Sequence, residues 1–377
     1  MQRIYMDANA TTPLLPEVLG AMRPFLLEQF GNASSIHQEG QQARSAVEHA
    51  RGSVARLLGC RPSEIVFTSG GTESDNLAVF GSVRAGDHVI TSAVEHHAVL
   101  HAVERLGEHG VAVEFLPVDS QGVLAAEDVR KALRPNTRLI SVMMANNETG
   151  VLQPVEEIGR IAGEAGVCFH VDAVQAAGKI PIHVDSIGCQ LLSISGHKMH
   201  GPQGTGALFV RRGTRLEPLS AGGAHERQRR AGTENVAGIA GLGAAAECAM
   251  RKDGEERMRG LRDRLETKLL GCASGVNGGE AARVPNTTNL WFDSLDGEAL
   301  VIALDLKGLA VSSGAACSSG ANEPSHVLEA MGLSRDRARG SLRFSLHRGT
   351  SEDEIDRAIE LVTSQVARMR ELLVVTR

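Results

Sequence analysis

Between residues 65 and 210, short apolar runs alternate with longer stretches whose apolar positions recur every three or four residues. The runs at 65–68, 88–91, 111–116, 139–144, 167–171 and 191–195 predict strands. They are continuously apolar rather than alternating, the pattern of strands covered on both faces. The stretches after Gly70-Gly71-Thr72, after His96, and at 125–133 and 155–165 predict helices. Residues 207–210 read as a return strand. Ahead of this block lie a short strand at 4–6, a helix starting near Pro16 and an amphipathic helix at 38–58, apolar through Ala43, Ala46, Val47, Ala50, Val54 and Leu57. Behind it, 235–250 reads as a small-residue helix with Gly238, Gly241 and Gly243. Glycine costs stability in a helix interior, so these positions predict close packing against another element. A second helix runs to about 270. Then come a strand at 287–292, a helix at 298–306, a strand edge at 310–311, a helix at 325–331 and an alternating strand at 341–346. Ser351 and Glu354 form a capping box for the last helix, whose apolar face is Ile355, Ala358, Ile359, Val362, Val366, Met369 and Leu373.

This order predicts an α/β fold: a large domain over 15–255 with a mainly parallel central sheet, and a smaller α+β domain from 1–14 and 256–377. In open parallel sheets ligands bind beyond the carboxyl ends of the strands. Thr72, His96, Asn147, Asp172 and Lys198 all fall at that edge.

Composition narrows the function. The chain has 377 residues, 42% of them hydrophobic, enough for a large core. Its 39 basic and 45 acidic side chains give a net charge of −6, which argues against nucleic acid as a partner. The cluster Arg227, Arg229 and Arg230 reads as a solvated loop or a small-anion site. None of the six cysteines forms a C-x-x-C pair, so no zinc site is expected. No secretory signal and no bilayer-length apolar run is present, and the expectation is a soluble protein of the reducing cytoplasm. Cys168 and Cys189 lie in apolar surroundings and read as core residues. Cys317 sits among Ser, Gly and Ala, which predicts a loop with an exposed thiol; an incidental loop cysteine is the alternative.

The stretch 191–206 carries the densest chemistry. An apolar strand breaks into Ser195-Gly196-His197-Lys198, then Gly201-Pro202-Gln203-Gly204. Partial burial would lower the Lys198 amine toward neutrality and make it a covalent catalyst. The alternative is a polar turn with the amine in solvent. Gly70-Gly71-Thr72 leads a strand into a helix, whose first N–H groups and dipole suit an anion. Ser195 and His197 could add donors. Asp172, ending a buried strand, needs a cationic or donor partner such as a protonated ring nitrogen. Gln175, three residues on, could reach a ring oxygen. His96 reads as a stacking partner for a flat ring or as a helix cap. Phosphate, ring nitrogen, stacking surface and Schiff-base lysine together describe pyridoxal 5′-phosphate.

These motifs resemble those of cysteine desulfurases of the NifS/IscS type, in the class V aminotransferase family. The resemblance rests on Ser195 to Lys198 with Gly201 to Gly204, on 68–76, on Asn146-Asn147-Glu148, on 171–175 and on 312–317, and it extends over essentially the whole chain. It implies a fold-type I, pyridoxal-phosphate-dependent homodimer acting on L-cysteine. Lys198 would form the Schiff base, Asp172 hold the pyridine nitrogen, Gln175 the ring hydroxyl, and His96 stack. Gly71, Thr72, Ser195 and His197 would bind the phosphate, with Thr233 reaching it from the partner subunit. Asn147, beside the cofactor, and Arg343 would hold the substrate carboxylate. Cys317 would take the sulfur as a persulfide, with Lys198, Cys317 and His96 as catalytic residues, and pass it to an iron–sulfur scaffold or another sulfur-acceptor protein. No metal is implied beyond a transient contact of Cys317 with an iron–sulfur cluster. A selenocysteine lyase, a class V aminotransferase and a non-catalytic sulfur carrier are the rival readings. Two departures stand out: His347 replaces a glycine common in the family, and the chain ends soon after its last helix, without the long tail some members use to meet a scaffold.

Overall fold

The computed structural model describes residues 3–251, 254–313 and 324–375. Its centre is a seven-stranded sheet in the order Ile65–Thr68, Gly206–Val210, Leu191–Ser195, Cys168–Asp172, Thr137–Met143, His88–Ser92 and Ala112–Leu116. Six strands run parallel. Gly206–Val210 lies antiparallel between its two neighbours. The fold is therefore α/β with a mainly parallel sheet. Both faces are covered, which is why Val66, Ile90, Ile140, Val171, Leu192 and Phe209 are all buried despite pointing to opposite sides.

Helices Gln38–Leu58 and Val236–Ala249 pack together on one face. A Cβ at Gly243 would meet the Ala50 Cα at 2.6 Å, so the glycine is what allows the two backbones to approach. The stability it costs the helix is offset by this contact.

A second core joins Met6, Leu265, Leu290, Phe292, Phe344, Ile355 and Val362. It lies on an antiparallel sheet ordered Ser312–Ser313, Ser341–Ser345, Thr287–Trp291 and Gly275–Val276. The amino-terminal strand Ile4–Tyr5 pairs with Leu309–Ala310, so the chain start joins this second body. The expected strand edge at 310–311 is two short strands, Leu309–Ala310 and Ser312–Ser313, with Val311 between them. The capping box forms as expected: Ser351 N donates to Glu354 Oε2 at 2.9 Å, and Glu354 N donates to Ser351 Oγ at 3.2 Å. Among the described residues, no helix is long and apolar enough to cross a membrane, and no group of three His, Cys, Asp or Glu is placed to hold a metal ion.

Candidate active site

The carboxyl ends of the parallel strands collect the polar residues. Ile65–Thr68 leads through Ser69 and Gly70 into helix Gly71–Ser82. Cys168–Asp172 ends on Asp172, and Leu191–Ser195 runs into the short turn Gly196–Lys198. The antiparallel strand sets the register: Gly206 pairs with Thr68 on one side and with Ser195 on the other. A Cβ at Gly206 would meet the Gly70 Cα at 2.7 Å and the Ile194 carbonyl oxygen at 2.7 Å. Only a residue without a side chain lets the helix start and the lysine strand approach this closely. The Ser195 hydroxyl is buried there and has no hydrogen-bond partner.

Lys198 lies against the segment that crosses from the first strand into the large body. Its Nζ donates to the main-chain carbonyls of Asn9 (2.5 Å) and Ala10 (2.9 Å). Thr12 N donates to the His197 carbonyl at 2.9 Å, and His197 Nδ1 lies 3.1 Å from Thr11 Oγ1. Burial first, then the Lys198 ammonium, pushes His197 down to about 4. His96 caps helix His97–Glu108, its Nδ1 accepting from Ala98 N at 3.1 Å, so the remaining proton sits on Nε2. Burial, and after it Lys198, pushes His96 down to about 4 as well, so both imidazoles are neutral beside the amine.

Asp172 is buried, and one carboxylate oxygen accepts from Val174 N at 2.8 Å. Desolvation raises it to about 6 against the opposing pull of that N–H and of Lys198. A cationic group docked on it would reverse that rise. Behind it lies a polar network. Buried His170, two residues back and therefore on the same sheet face, contacts Ser141 Oγ and Ser193 Oγ at 2.9 Å each. Its Nε2 is 3.6 Å from Asp75 Oδ1. Burial drives His170 down to about 3, drives Asp75 well above the usual carboxylate range and drives Glu95 up to about 8.

The other expected site residues are placed as follows. Asn147 is half-buried, with its Oδ1 enclosed and unpartnered. Arg343, on Ser341–Ser345, donates to the Asn147 carbonyl at 2.9 Å and to Asp7 Oδ1 at 2.8 Å, and its buried Nε has no partner. Gln175 donates from Nε2 to the Asn9 carbonyl at 2.9 Å. Gly71 and Thr72 open their helix, with Thr72 exposed. Thr233 is also exposed, on a loop fastened to that helix start by Arg230, whose Nε lies 2.8 Å from Glu73 Oε1. Cys317 lies outside the described residues. The chain thus brings Asn147, Gln175, Lys198 and Arg343 around one segment, residues 7–11, with Asp172 close enough to Lys198 to feel its charge.

Sequence reasoning missed Asn9, Lys179, His170 and Asp75. The period of two along Cys168–Asp172 was available for His170. Asn9 and Lys179 carry no local signal. An unpartnered hydroxyl and guanidinium N–H as donors, and an unpartnered amide oxygen as acceptor, beside a half-enclosed amine fit a ligand with an anionic end and hydrogen-bonding ring atoms, as a phosphorylated pyridine aldehyde has.

Known proteins resemble this chain in sequence and fold. The family described as aminotransferase class-V matches residues 4–358. The chain is 46% identical to a protein named cysteine desulfurase IscS from Dictyoglomus turgidum, over 98% of this chain and 96% of that one. It is 48% identical to cysteine desulfurase NifS from Azotobacter vinelandii, over 98% and 94%. A solved NifS-like protein superposes with a TM-score of 0.91 at 37% identity, covering 97% of this chain and all of the other.

Proposed function

The chain belongs to the aminotransferase class-V family, and from that premise we propose that it is a cysteine desulfurase. It removes sulfur from L-cysteine, releases L-alanine and holds the sulfur as a persulfide on Cys317 for transfer to an acceptor. One observation carries this reading. A half-enclosed amine, Lys198, just past the end of one strand, and a buried carboxylate, Asp172, at the end of the adjacent strand, stand beside the unpartnered Ser195 hydroxyl and a helix start.

Pyridoxal 5′-phosphate is the group these residues fit; bound, it supplies an electron sink for negative charge on a carbon next to the substrate nitrogen. The chain supplies the rest. The helix start at Gly71 and Thr72, with Ser195 and His197, takes the phosphate. Asp172 holds the ring N–H, Gln175 faces the ring oxygen, and His96 covers the ring as a neutral imidazole. Asn147 and the free Nε of Arg343 orient the substrate carboxylate. Lys198 Nζ carries the proton taken from the substrate Cα. The Cys317 thiolate takes the sulfur as the Cβ–S bond breaks. The sulfur then goes to an iron–sulfur scaffold or another acceptor protein.

We also read the active form as a homodimer in which Thr233 completes the partner's phosphate site. Leu19, Leu26, Leu27, Phe30 and Ile36 support this: all are exposed, in one stretch of chain.

Purified protein loaded with pyridoxal phosphate, given L-cysteine and a reductant, is expected to produce alanine and sulfide in equal amounts. Cys317→Ala is expected to stop sulfide release while the bound cofactor keeps its visible absorption. Alanine formed only with an added keto acid would make the protein an aminotransferase instead. Undiminished desulfuration by Cys317→Ala would remove the persulfide from the scheme.

A further inference from the structure

Lys179 is a second half-buried amine at the site, unused by the chemistry above. Its Nζ donates to Gln175 Oε1 at 2.5 Å and to Asn9 Oδ1 at 3.0 Å. Burial foremost, then Lys198 and Arg343, holds its pKa well below that of an ordinary lysine. Both hydrogen bonds survive loss of the charge, because a neutral amine still carries N–H donors.

These contacts remove the freedom of two side-chain amides. A main-chain carbonyl only accepts, so the Asn9 carbonyl must face the Gln175 Nε2, as it does at 2.9 Å. The opposite end, Oε1, then needs a donor, and Lys179 is that donor. Asn9 is clamped in the same way. Its Oδ1 accepts from Lys179 and from Asn286 Nδ2 (3.1 Å), while its Nδ2 donates to the Asn147 carbonyl (3.0 Å) and Thr287 Oγ1 (2.9 Å). Gln175 Nε2 has two N–H groups. One is spent on Asn9, and the second remains for a ligand.

We propose that Lys179 is a positioning residue: acting through Gln175, it turns an N–H rather than a carbonyl toward the cofactor's ring oxygen and so holds that oxygen as an anion. Without Lys179, Oε1 is left enclosed with no donor, and the amide swings away to find one. The ring oxygen then loses a charge-assisted hydrogen bond. The inference rests on the pyridoxal-phosphate reading given above.

The test is a pH titration of the bound cofactor's visible absorption, with dissociation constants for pyridoxal phosphate measured on the stripped protein. In Lys179→Met the spectroscopic midpoint is expected to move up by about one unit, equivalent to a tenfold change in proton affinity. Cofactor binding is expected to weaken about tenfold. Lys179→Arg, which keeps a donor, is expected to recover most of both. Gln175→Glu should shift the midpoint in the same direction. The double variant should shift no further than the larger single one, since the two residues act as one unit. Lys179→Gln is polar but too short to reach Oε1, and it carries the same expectation if the methionine variant does not fold. A wild-type midpoint in the variant that folds, or additive shifts in the double variant, would overturn the role of Lys179. Failure of the wild-type protein to bind pyridoxal phosphate at all would instead overturn the functional reading.

Discussion

Lys198 rests against two main-chain carbonyls, which hold its amine at the mouth of the strand. Replacing it would remove both the proposed covalent attachment point and the proposed proton carrier. In Lys198→Ala, alanine formation is expected to fall by roughly a thousandfold or more, and the absorption of attached cofactor should disappear from spectra of the gel-filtered protein. At this scale the sequence exposed the strand-end positions of Asp172 and Lys198. It did not expose Asn9 or Lys179. Their contacts depend on residues 166 and 170 positions apart meeting in space, and no spacing rule reaches that far. Arg343 was singled out, but its pairing with Asp7 was not, for the same reason.

Elements connect the site to the second body. Buried Glu148, next to Asn147, accepts from the Ser325 hydroxyl at 2.5 Å, and Ser325 caps helix His326–Ala330. Desolvation raises Glu148 from 4.5 to about 7. The folded protein therefore holds this proton more tightly than the unfolded chain. The resulting stability is complete below about pH 4.5 and is lost as pH rises through about 7. Glu148→Gln is expected to melt higher than the parent protein at pH 8 and to show a flatter melting temperature between pH 5 and 8, by calorimetry. Within the large body, the pair Arg51–Glu226 is almost fully enclosed, with two contacts of 2.8 Å and a third hydrogen bond from Phe67 N to the same carboxylate. Arg51→Met would strand the carboxylate and cost about 3–5 kcal/mol. Urea unfolding should show that loss, and Arg51→Met with Glu226→Gln should recover part of it. Element identity was legible because the helix period and the unbroken apolar runs are strong local signals, as at Gln38–Leu58 and Val155–Ala165. The short helix Arg335–Arg339 and strand Gly275–Val276 were not. Neither is long enough to show a period, and each exists because its neighbours hold it.

Across the whole molecule, the apolar runs are interchangeable by pattern, so they did not dictate which strand lies beside which. The order follows from handedness and packing, and it places the first strand of the large sheet beside the last. The proposed dimer makes its own prediction. Phe30 is 86% and Ile36 92% exposed, so replacing both with Asp should leave a single chain's fold intact. Light scattering after size exclusion should then report a monomer, and pyridoxal phosphate should bind more weakly because Thr233 no longer reaches across. A dimer of unchanged mass would place the interface elsewhere.

The antiparallel strand has a consequence for biosynthesis. Gly206 is the stitch that brings the turn at Gly70 against Ser195, so a nascent chain emerging from the ribosome lacks the proposed phosphate cup until it has grown past residue 210. Everything made before then waits with an unfinished sheet edge, and the proposed capture of the vitamin would follow the closing of that seam.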